Sequence, residues 1–185
     1  MRASSNRVFS RKAGFVMTAS LALASSCSSV SAQDHGSWRC NTPNGHYREN
    51  ASPISSTVTS ISGRITYHKP YFGTNFGSTA KIAFQDSKLD GSSCHCNGIL
   101  LQAYPNSDFV GYFMIVDGQK VAMHPRQFDI PITFNISVSP QGLMTVRIGK
   151  TNLDINTVIL PHPERDVIRM VCSGADVTFH DIEAR

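Results

Sequence analysis

The stretch with the chemistry of a contact surface is YHKPYFGTNF, positions 67–76, in which four rings are set among Gly73, Lys69, His68 and Asn75. Apolar and polar residues mixed this way, with no period of two or 3.6, indicate a loop. Loops of this composition suit sugars, since rings stack on the apolar faces of pyranoses while Asn, Asp and His satisfy hydroxyls. Tyr67, His68, Tyr71, Phe72, Asn75 and Phe76 are therefore the expected ligand contacts. The competing expectation is that these rings plug one end of the fold.

Other chemistry is thinly represented. Cys94-His95-Cys96 offers thiolate and imidazole, but structural zinc sites leave at least two residues between cysteines and no second pair of this kind occurs, so no metal is expected. Asp86 and Asp90 share a polar loop and could give calcium two hard oxygen ligands; solvated carboxylates are the simpler reading. The seven histidines are scattered: His124 and His162 precede prolines in turns, and His180 is the one inside a patterned strand. Glu164 and Asp166 flank Arg165 on a Pro-bounded loop, which reads as a salt-bridge site. There is no nucleophile elbow, Walker loop or dinucleotide fingerprint. No catalytic residue and no cofactor is predicted beyond that calcium.

Positions 1–32 set the compartment. Arg2, Arg7, Arg11 and Lys12 form a basic head, an apolar run follows, and Val30-Ser31-Ala32 is a small-residue cleavage site, which together read as a signal peptide. The run is too short for a permanent span of about 20 residues. Cleavage would remove four basic and no acidic residues, taking 17 Lys and Arg against 13 Asp and Glu to 13 against 13. A mature chain without net charge gives no hint of nucleic acid or an anionic membrane surface. The expected location is the periplasm or the exterior, with lipidation at Cys27 as the lesser alternative because Ala24 stands where a lipobox has Leu. Export favours disulfides among Cys40, Cys94, Cys96 and Cys172. On an extended chain Cys94 and Cys96 share a face but sit too far apart to bridge each other, so each is expected to pair outward, to Cys40 and Cys172 in either order.

The elements are read from period. Residues 128–149 hold two alternating runs, with Ile130, Ile132, Phe134, Ile136 and Val138 on one face and Met144, Val146 and Ile148 resuming after the turn Ser139-Pro140-Gln141-Gly142. FVGYFMIV, 109–116, is apolar throughout and should be a central strand. Asp117-Gly118 after it is a two-residue hairpin turn. Further strands are expected in 56–67 (broken or bulged at Gly63), 81–84, 99–104, 119–123, 152–160, 167–172 and 176–183. In the last, Val177, Phe179 and Asp181 should share one face, with Thr178, His180 and Ile182 on the other. Residues 33–55 are polar and turn-rich and read as an irregular N-terminal arm, tied by Cys40, with Trp38 either capping the core or offering a ring. No segment after the leader has helical spacing. The chain is expected to be all-β, an antiparallel two-sheet β-sandwich of the jelly-roll type over 56–185.

The order FNISVSPQGLMTVRIG, a later loop, and a closing CSGADVTFHDIEAR with V-x-F-x-D-I at 177–182 resembles the concanavalin A-like lectin and glucanase jelly rolls, laminin-G-like modules included. The likeness spans 56–185. It implies two curved sheets, a concave face or loop rim that binds glycan, and in some members a structural calcium. The glucanases of that superfamily carry E-x-D-x-x-E on one strand; here the only glutamates are Glu49, Glu164 and Glu183, and none is so arranged. An exported, non-catalytic carbohydrate-binding sandwich follows, with a glycan or cell-envelope component as partner. The alternatives are a polysaccharide hydrolase or lyase, and an envelope module that contacts other proteins.

Overall fold

The computed structural model describes residues 33–73, 77–88, 96–158 and 166–185. Twelve strands run β1 Gln33–Asn41, β2 Tyr47–Pro53, β3 Ser60–Pro70, β4 Ser78–Gln85, β5 Asn97–Ala103, β6 Phe109–Val116, β7 Gln119–Gln127, β8 Ile132–Val138, β9 Leu143–Ile148, β10 Thr151–Val158, β11 Val167–Ser173 and β12 Ala175–Ala184. They form two six-stranded antiparallel sheets, β1-β12-β3-β8-β9-β10 and β2-β11-β4-β5-β6-β7, here called the first and the second. This is the expected sandwich. Among the described residues no helix is long and apolar enough to cross a membrane.

The 128–149 hairpin forms as its alternation requires, with Ile136 opposite Val146 and Val138 opposite Met144. Phe134, Ile136, Val138, Met144, Val146 and Ile148 are all buried. Gly142 takes φ 81 and its N–H bonds the Ser139 carbonyl, closing the bulged turn. The inward row stops sooner than its period suggests: β8 begins only at Ile132, so Ile130 is left exposed in the connection before it. β6 is buried on both faces, yet it lies one strand from the edge. Asp117 and Gly118 turn with φ 47 and 76, the left-handed pair of a two-residue hairpin.

Three expectations are corrected. The 33–55 segment is not an irregular arm: β1 pairs with β12 in the first sheet and β2 with β11 in the second. Its polar composition concealed two edge strands, whose outward positions are solvated and whose pattern is therefore weak. Trp38 caps the core, stacked on Phe179 at 5.7 Å.

The second correction concerns the disulfide set. Cys40 and Cys172 bond each other, so neither serves Cys94 or Cys96. Pairing β1 beside β12 and β2 beside β11 brings those two inward cysteines across the core. Cys96 is buried with Ala83 and Ile115 on the far side of the second sheet, and Cys94 lies outside the described residues.

The third lies in β12, where pairing with β3 slips between His180 and Glu183 and Asp181 takes φ 51. One inserted residue flips everything after it. Ile182 and Ala184 thus turn inward with Phe179, while Asp181 is exposed. Gly63 of β3 lies under this bulge, where a Cβ would meet Ile182 Cδ1 at 2.6 Å and the His180 carbonyl oxygen at 2.9 Å. The irregularity expected at Gly63 is carried by its partner strand.

Candidate functional site

Successive strands alternate in direction, so the links from odd to even strands gather at one end of the sandwich. The registers fix this: Tyr47 and Thr79 both lie opposite Ser173, Thr79 opposite Gln102, Gln102 opposite Gly111 and Phe109 opposite Gln127. That end carries an aromatic rim. Tyr47, Phe72, Tyr104 and Phe109, exposed at 55, 40, 37 and 39%, are the four exposed aromatic side chains among the described residues, and all four stand on these links or the first residue beside them. Ile130, 45% exposed, adds a fifth apolar group on the β7–β8 link. Toward the opposite end the large exposed apolar side chains among the described residues are Leu143 and Val121, both aliphatic.

The expected contact residues separate. β3 continues through Pro70 because Tyr67 and Lys69 pair with Val177 and Asp176 of β12, so Tyr67 and His68 are strand residues with opposite directions. Tyr67 is 1% exposed and cannot touch a ligand. Its hydroxyl donates to Ser78 Oγ at 2.6 Å, and Ser78 in turn donates to the Gly174 carbonyl, which ties β3 to β4 and to the β11–β12 turn. Burial pushes its phenol far above the usual range, against the pull of the Ser78 hydrogen bond.

His68 points outward from the first sheet. Its Nδ1 donates to Asp129 Oδ1 at 2.8 Å and its Nε2 meets Thr178 Oγ1 at 3.0 Å. Carboxylate, imidazole and hydroxyl stand in the order of a nucleophilic triad. Thr178, however, lies mid-strand between Arg39 of β1 and Thr66 of β3. Backbone amides there serve two ladders and supply no oxyanion pair. The arrangement pins the β7–β8 link to the sheet, aided by the Asp129 N–H bond to the Tyr67 carbonyl.

Tyr71 and Phe72 do belong to the rim. Tyr71 N–H bonds the Gly174 carbonyl at 2.7 Å, Lys69 Nζ lies 5.5 Å from the Tyr71 ring centre, and Phe72 projects beyond. Gly73 follows because Asn44 packs against it: a Cβ there would fall 1.5 Å from Asn44 Nδ2. Asn44 Oδ1 is buried with no hydrogen-bond partner, an acceptor placed beside the rim. Asn75 and Phe76 lie outside the described residues.

Tyr47, Tyr104 and Phe109 were not singled out by sequence reasoning. A signal existed: Tyr104 and Phe109 flank the polar turn 105–108, and Tyr47 follows the Asn44-Gly45 turn. What period could not supply was that these turns share an end with residues 71–73.

Carboxylates elsewhere are committed. Asp176 accepts from Nη2 and Nε of Arg39, at 2.8 and 3.1 Å, Glu49 accepts from Arg169 at 2.8 Å, and Asp166 accepts from the Ser87 amide and hydroxyl. These bonds hold Asp176 and Asp166 below the usual carboxylate range, the opposite of a glycosidase acid. Asp86 Oδ1 caps the Lys88 N–H at 2.8 Å. Among the described residues no group of three His, Cys, Asp or Glu side chains is placed to hold a metal ion.

No protein-family model matches the chain and no curated protein matches it. Solved structures do. The metal-free carbohydrate recognition domain of Emp46p aligns at TM-score 0.52 with 13% identity, covering 83% of this chain and 86% of that one. The exoplasmic/lumenal domain of VIP36, in its Ca2+/Man3GlcNAc-bound form, aligns at 0.50 with 16% identity over 83% and 81%. The carbohydrate-binding module CBM66 from Bacillus subtilis gives 0.48 and 12% over 83% and 95%. The first two share this chain's architecture, the concanavalin A-like jelly roll that the C-terminal pattern implied. At these identities the likeness is one of fold.

Proposed function

We propose that the chain is an exported, non-catalytic carbohydrate-binding sandwich whose ligand lies against the aromatic rim. One observation carries this reading: every exposed aromatic ring among the described residues stands at one end of the molecule, which solvent alone gives no reason to favour. Rigid rings on fixed strand ends are suited to pyranose faces, and the neighbouring amides and hydroxyls of Asn44, Gln102 and Ser107 suit sugar hydroxyls. The names of two similar folds, a carbohydrate recognition domain and a Man3GlcNAc-bound domain, point the same way. Export is supported by the basic, then apolar leader and by the Cys40–Cys172 bond, which suits an oxidising compartment. The ligand is then a glycan outside the cytoplasm, free or part of the envelope.

Binding is favoured over hydrolysis because the carboxylates described above already accept hydrogen bonds from Arg39, Arg169, Ser87 and Lys88. Affinity electrophoresis through gels of soluble glucan, xylan, mannan and alginate tests the reading. Retardation by at least one polymer is expected, with Phe72→Ala and Tyr104→Ala each weakening it about tenfold, the loss of one stacked ring. The same mixtures should develop no new reducing ends and no unsaturated uronates. Failure of every polymer to retard the protein, or retardation indifferent to both substitutions, would dismiss the reading; new ends would make it an enzyme. EDTA is expected to leave retardation unchanged.

A further inference from the structure

The rim has a measurable width, and its width bears on what it binds. Resting on the glycan reading above, we infer that the site takes an internal stretch of a linear polysaccharide, at least three sugars long, laid across the strands of the second sheet rather than a single terminal sugar. Tyr47 on β2 and Tyr104 after β5 are separated by β11 and β4. That is three inter-strand spacings, about 14 Å, and reaching Phe109 on β6 makes it about 19 Å. A pyranose ring with its glycosidic oxygen is of the same order of length as one such spacing, so a span of three to four spacings accommodates about three sugars.

The ground between the rings is low. The row from Tyr47 passes Ser173, Thr79, Gln102 and Gly111, side chains that shrink to short hydroxyls, an amide and none. Gly77 lies alongside, where even a Cβ would stand 3.8 Å from Gln102 Nε2. Gln102 Oε1 accepts from Lys120, which turns the amide nitrogen toward that open ground as a donor. Ser173 Oγ donates to the His46 carbonyl at 3.1 Å and keeps its lone pairs for a second partner. Raised rings at both ends with short polar groups between them describe a trough open at each side. A pocket for a chain terminus would be closed at one side.

Size ladders of cello-, xylo-, manno- and mannuronate oligosaccharides, one to six units, test this by calorimetric titration of the mature protein. In the ladder that binds, affinity should rise at least tenfold between one unit and three or four, then level off. Tyr47→Ala should weaken the hexamer about tenfold and leave the dimer unchanged, whereas Tyr104→Ala weakens both. Both rings are exposed, and unchanged melting would confirm that each variant folds. A ladder in which the single sugar binds as tightly as the hexamer overturns the inference and leaves glycan binding intact. Absence of binding by every ladder overturns both.

Discussion

His180 shows how a single residue on the first sheet couples folding to pH. Its ring sits on the outer face of β12 with Nε2 3.2 Å from Thr66 Oγ1. Burial holds it below the usual imidazole range, Arg64 and His68 add to the shift, and Asp181 opposes it. His35 is lowered likewise by burial, which the nearby Asp34 charge opposes. Between the depressed folded pKa and the unfolded value of about 6.5, the unfolded chain holds more protons. Stability therefore rises with pH through that window and is lost as pH falls below about 6.5. The urea midpoint should drop between pH 7.5 and 5.5, and His180→Gln should flatten the drop; an unaltered slope in that variant would place the effect elsewhere. Tyr67→Phe is the matching test of the buried hydroxyl. It should cost about 1–2 kcal/mol, since Ser78 Oγ loses its donor, while retardation by polysaccharide stays as in the parent. Tyr67 and His68, one turned into the core and one outward from the first sheet, were among the ligand contacts the sequence led one to expect. Lateral direction decided against them, and direction depends on where β3 ends.

At the scale of elements, legibility followed alternation. The β8–β9 hairpin and the Asp117-Gly118 turn could be written down from residue types because both are local, and their inward positions are apolar without exception. β1 and β2 could not, because an edge strand with one solvated side and short hydrogen-bonded neighbours resembles loop. The bulge at Asp181 was hidden for another reason: no residue type in DVTFHDIE demands a positive φ, and only the fit against Gly63 discloses it. Gly98 makes the role of space explicit. A Cβ there would meet the Ile82 carbonyl oxygen at 2.2 Å and Ala83 Cα at 2.6 Å, both backbone. Gly98→Ala should therefore force β5 away from β4 and cost about 3 kcal/mol or more in chemical denaturation. Gly36 has open space and φ 66, so Gly36→Ala should cost only about 1 kcal/mol, from the backbone alone. Equal costs at the two positions would refute the packing argument for Gly98.

For the whole molecule, the arrangement of ends matters more than any strand. Each sheet has its first member from the N-terminal segment, β1 in one and β2 in the other, and each of these rests on one of the last two strands, β12 in the first sheet and β11 in the second. The chain is thus closed by its own termini, and the rim stands on the links this closure creates. Cys40–Cys172 joins those termini across 132 residues, with Thr42 Oγ1 against both sulfurs. Closing so long a loop removes roughly 5 kcal/mol of unfolded-chain freedom by the entropy model, an upper figure because measured values run lower. Cys40→Ala with Cys172→Ala should lower stability by about 3–5 kcal/mol and release β1 and β2 before the rest. Hydrogen exchange then locates the damage: amides of β1 and β2 should lose protection while β4–β6, most of whose residues are buried, keep theirs. Tyr47 stands on β2, so the same variant should lose binding to long chains before it loses binding to short ones. Uniform loss of protection across both sheets would mean that the bond stabilises the sandwich globally and does not fasten its closing strands in particular.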